Sequence, residues 1–427
     1  MITPAEGATG AVVGPITNIS KPCTGQNAES YQAVAPSNHA DVYEVWSGCS
    51  GVGFARSTNG GRTFGAPVTV PGSGGASPWD PTMAAGPDGT VYVVSMVAAG
   101  SQAQSYPVVA TSFNYGATFT QLTDLVPPLA DNWGDLPSVA VAPDGTVYVA
   151  WDYGPNLDAV HLLCSRGGSC SFSSGDLNMV MQASTDEART FGAMVPISPG
   201  YPWSGADLAS VVVGPSGQVD VLYQDYPTNP VTHRLSPALN YFTSSTDRGA
   251  HWSSPVVLGA HAGRVSTAEW WNDGNLGIDS AGNLYATWDT QGRAAGTRHT
   301  DIGWLSYSTD GGVHWSSPVQ GPPNESDVPH IMAVTGTGAG TAVVGWLSDS
   351  SPHGYALYVR PFSITGGWLA APTRISQAYG RRTVWPGDSF GLSALAPDEL
   401  VTSWGSAPST QGRTAAIYSA RVSVEPG

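Results

Sequence analysis

A chain of 427 residues is long enough for a large core or several domains, and at 41% hydrophobic it is too apolar to be disordered. With 32 Asp and Glu against 16 Lys and Arg, it carries a net charge of −16 and a single lysine, Lys21, which argues against nucleic acid and anionic bilayers as partners. Abundant Gly (53) and Pro (34), with only 11% charged residues, mark a turn-rich β protein, and no apolar run is long enough to span a membrane.

In chain order, the first ten residues lack a basic stretch followed by an apolar one. Either a signal peptide has been removed or the protein is intracellular. Residues 12–20, VVGPITNIS, then read as an isolated strand. Seven similar units follow, at roughly 28–70, 80–125, 135–197, 205–258, 273–320, 327–376 and 386–424. Each holds a short apolar strand, a turn, and a second strand that in most units ends in an aromatic. These second halves end at Trp46, Ser95, Trp151, Tyr223, Trp288, Trp346 and Trp404. Asp-Gly between alternating apolar residues, as in APDGTVYVAW, is a strong hairpin signal.

Five units continue with a second pattern: STNGGRTF (57–64), SFNYGATF (112–119), STDEARTF (184–191), STDRGAHW (245–252) and STDGGVHW (308–315). The Asp or Asn side chain caps backbone N–H groups of a tight turn, and the Gly permits a positive φ. The aromatic is expected to tuck back under its own hairpin. Ala188 stands where the third copy should have Gly, which predicts a strained or reshaped turn. The sixth unit keeps only SITGGW (363–368).

Four strands per unit, A to D from inside outwards, account for every unit but the last, which is one strand short. Residues 12–20 resemble the outer D strands and would supply the missing one. The expected fold is therefore all-β: a seven-bladed β-propeller of four-stranded antiparallel blades, closed by an N-terminal strand that completes the last blade. Six blades would follow if one unit were an insertion.

The four cysteines fall into two plausible disulfides, Cys23 with Cys49 and Cys164 with Cys170, which suits an oxidising, extracellular setting. A zinc site is the alternative, but no Cys-x-x-Cys knuckle is present.

The five repeated turns, each followed by an apolar strand such as SSPVVL, resemble those of the Asp-box (BNR-repeat) propeller superfamily, which includes sialidases and related secreted proteins. The resemblance covers nearly the whole chain and is specific for fold rather than function, since the box is a structural turn. Seven units depart from the six of sialidases, and the Arg-Ile-Pro segment of sialidase N-termini is absent. For a sialidase, the resemblance implies an arginine triad on a substrate carboxylate, a Tyr nucleophile helped by a Glu, and an Asp acid/base. In this chain those roles would fall to Arg264, Arg298 and Arg381, to Glu269, to Tyr379, and to Asp80 or Asp135.

The residues themselves point to one face. The B–C and D–A connections are long and varied, so their end of the propeller is the expected binding surface. D–A connections repeatedly pair Trp with Asp: Trp79 with Asp80, Trp133 with Asp135, Trp203 with Asp207, Trp270 and Trp271 with Asp273, and Trp385 with Asp388. A motif in nearly every blade reads first as a structural wedge, and second as a sugar platform. Residues that break the repeat are sharper candidates: Arg264, Glu269, Arg298, His299, His330, Arg381 and Arg382, with Trp270 and Trp385 beside them. Guanidinium forks there would bind a carboxylate bidentately.

The sequence thus favours an extracellular propeller acting on an acidic carbohydrate, with a sialidase-like glycoside hydrolase ahead. A uronate lyase using His299, His233 or His330 as base, and a non-catalytic glycan- or protein-binding scaffold, stay open. No cofactor is required, a structural calcium is admissible, and the metal need and oligomeric state are not readable.

Overall fold

The computed structural model describes residues 10–72, 74, 77–99, 101–127, 132–154, 160–164, 170–175, 177–199, 205–225, 239–258, 274–293, 299–321, 329–351, 354–376 and 384–424. Within them the chain folds into seven antiparallel four-strand sheets with sequential order A-B-C-D. The first blade is Ala28–Val34, Val42–Gly48, Gly51–Ser57 and Val68–Val70; the second is Trp79–Ala85, Val91–Ala99, Ser101–Ser112 and Gln121–Asp124. The third is Trp133–Val141, Val147–Gly154, Asn178–Ser184 and Val195–Pro196, and the fourth Ala206–Val213, Val219–Asp225, Leu239–Ser245 and Val256–Leu258. The fifth is Asn275–Ile278, Leu284–Arg293, His299–Ser308 and Val319–Gln320. In the sixth, Pro329–Gly338, Thr341–Ser351 and Gly354–Ser363 are followed by an outer strand broken into Gly367–Trp368 and Thr373–Arg374.

The last blade, Gly391–Ala396, Glu399–Ser406 and Ala416–Ser423, is completed by the N-terminal segment. Val12 and Val13 pair with Ser423 and Val422, and Thr17 and Asn18 pair with Ser419 and Tyr418. Without that strand the last blade would present an open edge. The Cys23–Cys49 disulfide ties this segment to the first blade across a sequence separation of 26.

Packing between blades makes the core. Each B strand turns one row of side chains onto the preceding blade: Trp151 joins Val94 and Val108, Trp288 joins Leu222 and Phe242, and Trp404 joins Leu347 and Leu357. Trp46, Trp151, Trp288, Trp346 and Trp404 are all fully buried. Removing an indole from water contributes roughly 5 kcal/mol by area, an upper figure because the unfolded chain already hides part of it.

The five Ser-x-Asp/Asn turns share one hydrogen-bond pattern. The Ser Oγ accepts from the N–H four residues on, at Gly61, Gly116, Ala188, Gly249 and Gly312, over 2.9–3.0 Å. The Asp or Asn oxygen accepts from the N–H of Thr63, Thr118, Thr190, His251 and His314 over 2.9–3.0 Å.

One expectation is extended: the turn aromatic contacts its own turn, as where Trp315 Nε1 donates to the Gly312 carbonyl at 3.1 Å, and also reaches the preceding blade. Phe119 meets Phe54 edge-on at 5.1 Å, and Trp315 meets Phe242 at 5.0 Å. The turn Gly is small for the same reason, since a Cβ on Gly116 or Gly312 would lie 2.2 or 2.0 Å from those rings. Ala188 adopts the positive φ (60°) that the sequence predicted to be strained. It is tolerated because Val109, not a Phe, faces it, and the two share one buried cluster.

Two further connections hold strand as well as loop. In the fifth blade the B–C connection is largely strand, Arg293 pairing with His299. In the third blade, Val160–Cys164 and Cys170–Gly175 form an extra hairpin in which Cys164 and Cys170 are direct register partners. Their side chains lie outside the described part.

Candidate functional site

On the face formed by the B–C and D–A connections, the inner strands begin around a central pit. In four blades the start of the A strand is irregular in the same way. A bulge interrupts pairing at Ala28/Ser30, Trp79/Thr82, Asp135/Ser138 and Asp207/Ser210. A non-glycine residue with positive φ sits in each: Glu29 (55°), Asp80 (45°), Leu136 (43°) and Leu208 (54°). Such backbone costs on the order of 1–3 kcal/mol per residue and concentrates at functional sites. The bulge re-aims the side chains that precede the regular ladder.

What it aims are carboxyl groups. Glu29, Asp80 and Asp388 line the pit with Tyr31, Ser138 and Ser210, around about 80 Å³ of space. That admits a few water-sized groups. Asp135 adjoins it through a carboxyl–carboxyl hydrogen bond with Asp80. Asp152 lies beneath, fully buried, its Oδ1 accepting from the Asp135 N–H at 2.6 Å. In the next blade, Asp225 Oδ1 accepts from the Gly205 N–H at 3.2 Å, and Asp207 Oδ1 from the Leu208 N–H at 2.9 Å.

Burial first, and repulsion from neighbouring carboxyls second, push Asp80, Asp152, Asp207 and Asp388 up. Asp80 is held well above the ordinary carboxylate range by burial and by the charges of Glu29, Asp135 and Asp388. Asp152 is raised by burial and by Asp207 and Asp135, and Asp388 by burial and by Glu29, Asp135 and Asp207. Asp207 rises to about 7, through burial and Asp135. The hydrogen bond raises Asp80 and lowers Asp135, so Asp80 holds the proton and Asp135 accepts it. The proton shared by the Asp80–Asp135 pair is therefore held more tightly than on an isolated carboxyl. No Lys, Arg or His is among the described residues lining the pit. Nor, among the described residues, are three or more His, Cys, Asp or Glu side chains placed to hold a metal ion.

Of the candidates named from sequence, Asp80 and Asp135 come together. Trp385 lines a groove beside the pit, half-buried, while Trp133 is buried. His299 and His330 sit on strands, at the start of the fifth blade's C strand and the sixth blade's A strand, with side chains outside the described part. Arg264, Glu269, Trp270, Arg298, Tyr379, Arg381 and Arg382 lie outside the described residues. Sequence reasoning missed Glu29, Asp152 and Asp225. Asp152 and Asp225 stand at the ends of their B strands and so had a signal: an acid directly or shortly after the aromatic, as in AWD and LYQD.

No family model matches the chain, and no curated protein is similar to it in sequence. Solved structures are similar in fold. An α-L-arabinanase of Penicillium chrysogenum complexed with arabinobiose superposes with a TM-score of 0.52 at 13% identity, covering 83% of this chain and 99% of the other. The NanB sialidase from Streptococcus pneumoniae gives 0.52 at 9% identity, covering 88% and 83%. The chain has the sialidase-like propeller fold. The polysaccharide lyase Uly1 shares it too, with a TM-score of 0.53 at 12% identity over 92% and 91% of the two chains. At these identities the sialidase-like propeller is a scaffold that several chemistries occupy, and its activity has to be argued from the pit. No helix among the described residues is long and apolar enough to cross a membrane.

Proposed function

We propose that this sialidase-like propeller is an extracellular glycoside hydrolase. The observation that carries the reading is the hydrogen-bonded Asp80–Asp135 pair at the wall of the pit, in which burial and neighbouring carboxyls raise Asp80 well above the ordinary carboxylate range. Glycosidic cleavage needs a carboxylic acid to protonate the leaving oxygen and a second carboxylate as base or nucleophile. Asp80 supplies the first. Glu29 and Asp388, across the same pit, are the carboxylates available for the second role. The Cys23–Cys49 disulfide supports an oxidising compartment.

A sialidase-like action on an acidic sugar would rest on Arg264, Arg298 and Arg381 to receive the substrate's carboxylate. The described lining, carboxylate-rich and without a cation, favours a neutral sugar instead, because a second anion in the pit would meet uncompensated repulsion. The arabinobiose complex of the Penicillium arabinanase is consistent with neutral substrates on this scaffold.

The test is a panel of fluorogenic glycosides that includes a sialoside, a glucuronide and neutral pentosides and hexosides. Turnover of a neutral member, lost in Asp80→Asn, is the expected result. Turnover of the sialoside alone would return the acidic-sugar reading. An unsaturated product absorbing near 235 nm would indicate a lyase, and retention of glycans without turnover would sink the hydrolase.

A further inference from the structure

Beside the pit lies a wider groove of about 590 Å³, between the first, second and last blades. Gln26, Glu29, Ser47, Ser50, Ser77 and Trp385 wall it, and Glu29 lines both cavities. A volume of several hundred Å³ is that of a small-molecule site, whereas the pit alone admits little more than a reacting group.

The walls are fixed before any ligand arrives. Gly48, Cys49, Ser50 and Gly51 form a tight turn in which Cys49 (φ 53°) and Ser50 (φ 67°) are both left-handed, and the disulfide to Cys23 holds it. Across the groove, Ser77 Oγ donates to the Ser50 carbonyl at 3.4 Å, and a Cβ on Gly51 would already lie 3.2 Å from Pro78. The Trp385 indole stands edge-on to Tyr355 at 5.6 Å and 87°. Its carbonyl accepts from Gln26 Nε2 at 2.5 Å, while Gln26 Oε1 accepts from the Ala415 N–H at 2.9 Å. Ser47 Oγ donates to Glu29 Oε2 at 2.5 Å, which orients the one carboxylate that both cavities share. An aromatic ring among hydroxyl and amide groups, with no cation in the described lining, suits an uncharged polyhydroxylated ligand. Rigid walls keep the ordering cost of binding low.

We propose that this groove is a subsite for the second and later units of a neutral oligosaccharide, whose reacting bond lies over Glu29 and Asp80; the inference rests on the hydrolase reading of the pit. The substrate is then a chain running outwards between the first, second and last blades, rather than a lone terminal sugar.

The experiment measures retention on immobilised neutral oligosaccharides of one to six units in arabino, xylo, gluco and galacto series. It compares wild-type protein with Trp385→Ala, Ser77→Trp and Asp80→Asn. Ser77 is exposed, so its Trp variant fills the groove without touching the core and serves if Trp385→Ala fails to fold. In one series, wild-type retention should rise at least tenfold from one unit to three. That gain should vanish in both groove variants and persist in Asp80→Asn. Absence of a chain-length gain in every series, or a gain that survives in Ser77→Trp, overturns the subsite. Failure of the hydrolase reading shows separately, as wild-type turnover in Asp80→Asn.

Discussion

Gln32 donates its side-chain amide to the carboxyl of Glu44 in the interface between the first and last blades. Glu44 is wholly buried, and its other oxygen has no hydrogen-bond partner, nor have Ser403 Oγ and Ser419 Oγ of the last blade, which face it. The corresponding B-strand positions hold Val93, Val149, Val221, Ala286, Val344 and Thr402, so the one ionisable side chain of this row stands at the closing seam. Burial pushes Glu44 up to about 8, with Ser403, Gln32 and Ser419 opposing the shift. In the unfolded chain the same carboxyl titrates near its ordinary value of 4.5. Below that value the proton is bound in both states and nothing is lost. Between about 4.5 and 8 the unfolded chain gives up its proton while the folded chain keeps it, so stability falls as pH rises and levels off above 8. Glu44→Gln, which keeps the acceptor for Gln32 and adds donors for the serines, should raise unfolding free energy at pH 9 by about 2 kcal/mol and leave pH 4 nearly unchanged. Thermal unfolding of both proteins across pH 4–9 checks this; parallel curves would refute it.

The same sign holds for Asp80, Asp152, Asp207, Asp220 and Asp388, all raised first by burial. The exposed turn carboxyls Asp186, Asp247 and Asp310, lowered to about 2 by hydrogen bonds within their turns, act in the opposite direction, and only as pH falls from about 4 towards 2. Thermal stability should therefore peak in mildly acidic solution, near pH 4–5. A maximum at pH 7 or above in a buffer series would contradict the balance.

Catalysis should follow the proton on the central pair. Asp80→Asn and Asp135→Asn each should lower kcat about 10²- to 10⁴-fold on a neutral aryl glycoside. KM should change little, since an amide preserves shape and hydrogen bonding, and the unfolding midpoint should not fall. The wild-type rate should fall on the alkaline side as Asp80 loses its proton, a limb absent from the residual activity of Asp80→Asn. Steady-state kinetics over pH 4–9 reads all of these.

The turn that carries Ala188 makes a prediction about packing. Ala188→Gly relieves the left-handed backbone but removes a buried methyl, so stability should move by less than about 1 kcal/mol. Gly116→Ala places a Cβ 2.2 Å from the Phe54 ring at φ 80° and should cost about 2–4 kcal/mol. Chemical denaturation of the two variants decides; equal costs would mean that the facing residue on the preceding blade is irrelevant.

Closing a loop of 26 residues, the Cys23–Cys49 bond should contribute about 3 kcal/mol by restricting the unfolded chain. Cys49→Ser should lower stability by that order, and hydrogen exchange should quicken first at Val12–Asn18 and at their partners Tyr418–Ser423. Exchange spread evenly over all blades would show that the bond does not guard the seam.

The fold was legible because the propeller is written locally and repeatedly. Alternating apolar residues, Asp-Gly turns and the Ser-x-Asp/Asn capping pattern each depend on neighbours within a dozen residues, so one strand's pattern suffices to place it. The pairing of Val12 and Val13 with Val422 and Ser423 followed from counting strands, since a sheet edge left open in the last blade would be costly. What the sequence could not decide was which side chains of different blades meet. Whether a turn aromatic also reaches Phe54 or Phe242 of the preceding blade depends on the rotation between sheets. The repeated Trp and Asp pairs read as wedges when each was viewed alone. Only the ring brings Asp80 against Asp135, with Glu29 and Asp388 beside them, and charges from three other blades then add at one point to hold a proton on Asp80. A proton shared across blades is a property of distances between segments far apart in the chain, and tertiary structure alone sets those distances.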